Sequence, residues 1–170
     1  MPAALVLGAS RGIGLEFTRQ YLQAGWQVHA TYRSEDHRTS LRDMGAHPLK
    51  LDVGHLEDIA GLAWQLEGEQ FDVVVMNAGV FGPRDSSTQK PPDDAAFDLV
   101  MRTNVLAAMR LIPVVMPCLS AKRGTMAFIS SPSVLWRFHH GDADHRVAGD
   151  DFFEFRLAHA LRALRPARHD

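Results

Sequence analysis

The feature that most constrains the fold is a short apolar run followed at once by a glycine-rich segment and then by a helical pattern. Ala3–Leu7 contains only apolar residues, as expected for a strand that is buried on both faces. Residues 8–14 contain three glycines, and residues 12–24 form the helical pattern, with Phe17 and Tyr21 on one face. A strand, a glycine loop and a helix in this order are typical of the first unit of a doubly wound sheet.

The alternation of strand and helix continues to residue 129. The sequence predicts further strands at residues 26–32, 47–51, 71–76 and 125–129. A polar turn is expected after the second strand, a helix at 56–66, an exposed loop at 81–93, and a long helix from 95 to about 119 that Pro113 and Pro117 should kink or end. This order predicts an α/β fold: a Rossmann-type doubly wound parallel sheet of five strands in the order 3-2-1-4-5.

Composition excludes several classes of function. Eighteen Lys and Arg against 20 Asp and Glu leave a formal charge of -2, so neither nucleic acid nor an anionic membrane is an expected partner. Cys118 is the only cysteine, which excludes an internal disulfide and a Cys-based zinc site. No apolar stretch is expected to approach the ~18 residues of a membrane-spanning helix, and the first residues do not read as a signal peptide. The expected location is the cytoplasm.

Residues 8–14 are predicted to bind the phosphates of a dinucleotide. Glycines permit the tight turn and bring the backbone close to the pyrophosphate, while the helix N-terminus offers N–H groups and the positive end of its dipole. A purely structural turn is the alternative interpretation. The cofactor contacts predicted in this loop are Gly8, Ser10, Arg11, Gly12, Ile13 and Gly14.

Four further motifs follow the loop. Leu51-Asp52-Val53 ends the third predicted strand, Asn77-Ala78-Gly79 ends the fourth, Asn104 lies in the long helix, and Ser131 follows the fifth strand. With the Gly-x-x-x-Gly-x-Gly spacing of residues 8–14, these motifs resemble the short-chain dehydrogenases/reductases over residues 1–131. Within that family the chain looks closest to the compact carbonyl-reductase and C-factor-like branch.

The resemblance implies an oxidoreductase that transfers hydride between NADP(H) and a small carbonyl or alcohol substrate. It adds to the cofactor site the residues Asp52, Val53, Asn77, Ala78 and Gly79. It also implies that Ser131 orients the substrate carbonyl, that Asn104 supports a proton-relay water, and that a homodimer forms through the helix at 101–119. Taken singly, each residue has a structural alternative: a helix cap for Asp52, buried amides for the asparagines, and a strand end for the serine.

The choice of cofactor follows from charge. NAD-binding folds of this kind place an acidic residue at the end of the second strand, against the ribose 2′-hydroxyl. Residues 29–33 contain no carboxylate, and the first one after them is Glu35. Arg33 and the loop residue Arg11 suit a 2′-phosphate instead, although two solvated arginines are the alternative. The sequence predicts a preference for NADP(H) over NAD(H).

The Tyr-x-x-x-Lys motif that supplies the family's proton donor cannot be present, because no Tyr or Lys follows Lys122. Residues 132–170 are predicted to form an atypical tail with a terminal helix and no separate domain. Either this tail has evolved away from the family, with His145 near the position of the Tyr, or it is read in a shifted frame. Whether the chain is an enzyme is therefore open, the alternative being a non-catalytic nucleotide-binding relic. The five potential metal-ligating side chains of residues 139–145 are better explained by a shifted frame or a solvated loop, so no metal is expected.

Overall fold

The structure is a computed structural model that describes residues 1–86, 89–120 and 124–129. One sheet contains the strands β1 (Ala3–Leu7), β2 (Gln27–Tyr32), β3 (His47–Lys50), β4 (Val73–Met76) and β5 (Thr125–Phe128). Every neighbouring pair is parallel, and the order is β3-β2-β1-β4-β5. The predicted fold class and strand order are therefore confirmed.

Helices connect the strands, as a parallel sheet requires. In the described ranges the α-helices are α1 (Gly12–Gln23), α2 (Asp36–Asp43), α3 (Leu56–Gln65), α4 (Asp94–Met101) and α5 (Ala107–Val115). A π-helical turn, Arg102–Leu106, joins α4 to α5, and a 3₁₀ turn, Met116–Cys118, follows α5. These pieces form the long helix that the sequence predicts.

A polar turn follows β2 at residues 33–35, as predicted, but the helix α2 that comes after it was not predicted. Its sequence, Asp-His-Arg-Thr-Ser-Leu-Arg-Asp, has one buried side chain, that of Leu41. A surface helix anchored by a single apolar residue shows almost no hydrophobic periodicity, so the pattern could not reveal it.

The core is centred on β1, whose five residues are all buried. Leu5 and Leu7 pack with apolar residues of α3, α5 and β4 in one cluster, which includes Leu62, Phe71 and Leu111. Because successive side chains of a strand point to opposite faces, Ala4 and Val6 face the other side of the sheet. Burial on both faces explains why β1 is continuously apolar.

The long helix departs from the expectations in two ways. It continues through Pro113 and becomes a 3₁₀ turn only at Met116. The α-helix therefore ends near Pro117, as predicted, and does not end at Pro113. Within the described residues, Asp94–Cys118 is also long and apolar enough to span a membrane by length and composition, and an 18-residue window within it has a mean hydropathy of 1.5. The expectation that no apolar stretch approaches this length was wrong for this helix. It considered uninterrupted apolar runs, and here isolated polar residues interrupt the apolar ones. The helix buries Ala107, Leu111 and Val115.

Backbone contacts divide the chain into two compact units, Met1–Ile129 and Ser130–Asp170. The first unit contains the whole sheet described above. The second lies outside the described residues, so the predicted boundary near residue 131, the terminal helix and the run at 139–145 stay predictions.

Candidate functional site

The predicted phosphate loop begins where β1 ends and is held against β2. The N–H of Gly8 donates to the side-chain oxygen of Thr31 at 2.8 Å, and the N–H of Ala9 donates to the carbonyl of Thr31 at 2.9 Å. Gly8 has φ +88, and a Cβ added there would lie 2.7 Å from the backbone of Ala78. Glycine is required here for both conformation and space. Thr31, which the sequence analysis did not single out, is visible only as a polar residue in an otherwise apolar strand end.

Asn77 closes the loop from the other side. Its side-chain Nδ2 donates to the carbonyl of Gly8 at 2.8 Å. A Cβ on Gly14 would lie 2.1 Å from that carbonyl oxygen and 2.6 Å from Nδ2 of Asn77, so only glycine lets α1 pack this closely. Asn77 and Ala78 thus brace the phosphate loop at the ends of β1 and β4.

Gly12 differs from the two other loop glycines because it faces open space. Its φ is +56, and no heavy atom lies within 4 Å of the position that a Cβ would occupy. Gly12 is also the first residue of α1, where the N–H groups of the first turn have no acceptor within the helix. No acidic residue lies in that turn. An open, positively polarised helix N-terminus beside a glycine fits a bound pyrophosphate.

Asp52 and Val53 lie just beyond the carboxyl end of β3. The N–H of Asp52 donates to Oδ2 of Asp58 at 2.7 Å, and Oδ1 of Asp52 accepts from the N–H of Gly54 at 2.9 Å. Asp52 therefore shapes the turn before α3, whereas the cap position of that helix is occupied by His55. These contacts hold the turn at the same edge of the sheet as the phosphate loop.

Arg11 and Arg33 are both exposed. Neither forms an ion pair with any residue in the described part of the chain. Arg33 directly follows β2, and the loop that contains Arg11 is bonded to Thr31 of that strand. Two cations therefore border the carboxyl end of β2, where the second strand of this fold meets the adenosine ribose.

Asn104 lies in the π-helical turn between α4 and α5 and is bonded to the segment that follows β4. Its Nδ2 donates to the carbonyl of Val80 and its Oδ1 accepts from the N–H of Val80, both at 2.8 Å. A Cβ on Gly79 would lie 3.2 Å from that Oδ1. The side chain of Asn104 thus fixes the Gly79–Val80 backbone, and its role with a proton-relay water stays a prediction.

Ser131 lies outside the described residues. The nearest described residue is Ile129, whose N–H donates to the carbonyl of Met76 at 2.9 Å. This bond continues the β4–β5 pairing by one residue.

No group of three or more His, Cys, Asp or Glu side chains suited to a metal ion is found among the described residues.

The structure thus brings most of the predicted cofactor residues together at one edge of the sheet. Asn77 contacts both Gly8 and Gly14, and Ala78 lies against Gly8. Gly12 lies at the open side of the same loop. Ser10 is partly exposed, as is Ile13 at the start of α1. The predicted binding crevice lies between β1 and β4. The connection that leaves β1 runs to one side of the sheet and the connection that leaves β4 runs to the other, and sheets of this kind bind ligands at such a point.

Comparisons with known proteins agree with this geometry. The sequence model of the short chain dehydrogenase family matches residues 2–142, which extends eleven residues beyond Ser131. Retinol dehydrogenase 8 of Bos taurus is 32% identical over 165 residues, covering 88% of this chain and 51% of that protein. The 3-oxoacyl-(acyl-carrier-protein) reductase FabG of Salmonella typhimurium is 33% identical over 125 residues, covering 71% of this chain and 50% of that protein. The chain thus spans about half the length of these curated relatives.

Solved structures show the same fold. A short-chain dehydrogenase/reductase from Burkholderia multivorans with bound NADP aligns with a TM-score of 0.72 and 28% identity, covering 95% of this chain and 73% of that one. A carbonyl reductase from Pseudomonas aeruginosa in complex with NADP aligns with a TM-score of 0.66 and 28% identity, covering 77% of this chain and 61% of that one. The family match, the strand order and the glycine loop together show that this chain belongs to the short chain dehydrogenase family.

Proposed function

We propose that the chain binds NADP(H) at the crevice between β1 and β4 and belongs to an oxidoreductase acting on a small carbonyl or alcohol. The open space at Gly12, at the N-terminus of α1, carries this proposal because it leaves room for a pyrophosphate beside the unpaired N–H groups of the first helical turn. Gly8, Ser10, Arg11, Ile13 and Gly14 complete the phosphate site. NADP-bound relatives with 28% identity support the same cofactor class.

The rest of the dinucleotide is assigned to the two sides of the loop. Asp52 and Val53 bind the adenine, and Asn77, Ala78 and Gly79 border the nicotinamide half. A nicotinamide supplies a hydride when bound, and the protein's task is to hold the substrate carbonyl and deliver a proton. Asn104 keeps the Gly79–Val80 backbone in place, and Ser131 donates a hydrogen bond to the substrate oxygen.

Preference for NADP(H) over NAD(H) is assigned to Arg33 and Arg11. Guanidinium groups bind phosphate with charge-assisted hydrogen bonds that contribute about 1.5–3 kcal/mol each. The test is calorimetric titration of NADPH and NADH into the wild type and Arg33→Ala. We expect tighter binding of NADPH by the wild type, and an Arg33→Ala variant that loses about tenfold or more in NADPH affinity with little change for NADH.

Arg110, a partly exposed arginine on α5, provides the control substitution to alanine, which should leave both affinities unchanged. Equal affinities of the wild type for the two dinucleotides, unaffected by Arg33→Ala, would contradict the assignment of the cofactor.

A non-catalytic nucleotide-binding role is the second candidate, favoured by the absence of Tyr and Lys after Lys122. Both candidates predict cofactor binding, and they differ in turnover. Oxidation of NADPH in the presence of small aldehydes and ketones separates them.

We also propose a homodimer through the long helix, in a cytoplasmic protein without a nucleic-acid or membrane partner. The supporting observation is a set of exposed apolar side chains along α4, the π-helical turn and α5: Phe97, Leu99, Met101, Val105 and Met109. Light scattering on the wild type and on Met109→Glu tests the oligomeric state, and cell fractionation tests the location.

A further inference from the structure

The carboxylate of Glu35 lies among three hydrogen-bonding groups near the carboxyl ends of β2 and β3. The hydroxyl of Tyr32 donates to its Oε1 at 3.3 Å. Nζ of Lys50 lies 3.8 Å from the same oxygen, and Nη1 of Arg38 lies 3.8 Å from Oε2. Glu35 is also the first carboxylate after β2, the strand whose end selects between the two dinucleotides.

Strand pairing and the start of α2 bring these residues together. Tyr32 and Lys50 are register partners across β2 and β3, and each is the last residue of its strand. Glu35 immediately precedes α2, and Arg38 lies three residues later on the same side of that helix. The backbone therefore places Tyr32, Arg38 and Lys50 within reach of Glu35.

Tyr32 is the rigid member of this group. It is 4% exposed, and burial together with the nearby Glu35 charge raises its pKa, so it stays a neutral donor that holds the carboxylate. Glu35, Arg38 and Lys50 have more than half of their side-chain surface exposed. The two cations can therefore move when a stronger anion is near.

Charge at this corner is unevenly distributed. Arg38 and Lys50 face the Glu35 carboxylate, whereas Arg11 and Arg33 form no ion pair with any described residue. A 2′-phosphate carries about two negative charges and competes with Glu35 for any cation in reach. The number of side-chain cations that can contact the 2′-phosphate therefore depends on how many of them stay paired with Glu35.

We propose that Glu35 limits the selection of NADP(H) by retaining Lys50 and Arg38, which leaves the 2′-phosphate to Arg33 and Arg11. Glu35 acts as a positioning residue, because it contacts the cations and not the cofactor. This inference rests on the proposed function. It differs from a role of Glu35 as acceptor of the ribose 2′-hydroxyl, which would favour NADH.

The test is the near-isosteric substitution Glu35→Gln, which keeps the hydrogen bond to Tyr32 and removes the charge. We expect NADPH to bind about two- to fivefold more tightly, as for an exposed charge contact, with NADH unchanged. The gain should shrink as salt is raised, because exposed charges are screened. Glu67→Gln is the matched control: it changes the net charge equally at an exposed residue beyond α3 and should change neither affinity.

A second substitution checks the cause. Adding Lys50→Met to Glu35→Gln should return most of the NADPH gain, because the released cation is then removed. Weaker NADH binding by Glu35→Gln, no change for either cofactor, or an equal effect of Glu67→Gln would overturn the inference. A wild type that binds neither dinucleotide contradicts the proposed function and this inference together. A wild type that selects NADPH, with an unchanged Glu35→Gln variant, contradicts this inference alone.

Discussion

The two halves of the crevice differ in how the chain builds them. On the phosphate side, β1 is completely buried, the loop glycines contact β2 and β4 directly, and Thr31 receives two hydrogen bonds from Gly8 and Ala9. On the other side, β5 is half-exposed, with Phe128 53% exposed, and the predicted catalytic Ser131 lies beyond the described residues. The described contacts thus hold the cofactor half together, whereas the predicted catalytic half also depends on a residue outside the described part of the chain.

This difference separates two properties that the family normally combines. Binding needs only the loop, the N-terminus of α1 and the neighbouring strand ends, all of which are present here. Reduction also needs a proton source beside the substrate, and this chain has no Tyr or Lys after Lys122 to provide one. We therefore predict cofactor binding with weak turnover.

The largest expected effect is on turnover. A chimaera in which a Tyr-x-x-x-Lys segment from a related reductase follows Ser131 should oxidise NADPH with aldehydes about 10²–10⁴-fold faster than this chain, because general acid catalysis contributes that much. Steady-state kinetics on the two proteins measures the difference, with NADPH affinity as the control. Comparable turnover by the two proteins would contradict the prediction of weak turnover. It would direct attention to His145, whose replacement by Ala should then remove the activity.

A smaller effect is expected on stability, where the central and edge strands can be compared directly. Leu5→Ala removes a fully buried side chain of β1 and should lower the free energy of unfolding by about 2–5 kcal/mol. Phe128→Ala removes a half-exposed side chain of β5 and should cost less, about 1 kcal/mol. Urea unfolding at equal m-values measures both changes. A larger loss for Phe128→Ala would show that β5 is as central to the core as β1.

The smallest effect concerns pH at the opposite end of the sheet. His29 on β2 is 5% exposed, stacks on His47 at 4.9 Å, and lies 3.9 Å from Glu69. Burial lowers its pKa, an effect that the Glu69 charge opposes and His47 reinforces. Since the folded state resists protonation, stability should be full above the ordinary His pKa of about 6.5 and should fall as pH drops below it.

Thermal unfolding of the wild type, His29→Phe and the control His37→Gln, at a partly exposed position on α2, between pH 7.5 and 5.5 tests this expectation. His29→Phe should flatten the acid decline, whereas His37→Gln should follow the wild type. An unchanged decline in His29→Phe would assign the pH dependence to other groups.

Local patterns predicted the sheet well and the side-chain contacts poorly. Continuous apolar runs marked β1 and β4, which are buried throughout, and the alternation of strand and helix patterns placed the other three strands. The helix α2 was missed because only Leu41 anchors it. The pairing of Asn104 with Val80 joins residues 24 positions apart, and nothing in either local sequence indicates it. Motif order placed the glycine loop correctly between β1 and α1, but the ion pairs of Glu35 depend on strand register, which a single sequence does not reveal.

The central claim is that the open side of Gly12 is where the dinucleotide binds. Titration of NADPH into Gly12→Val and Gly25→Val tests it most directly, because both glycines have positive φ, +56 and +79, and neither has an atom within 4 Å of an added Cβ. The backbone strain is therefore matched, and only Gly12 borders the phosphate site. We predict that both variants fold, that Gly25→Val binds NADPH like the wild type, and that Gly12→Val does not bind it. Wild-type NADPH affinity in a folded Gly12→Val variant would contradict the account.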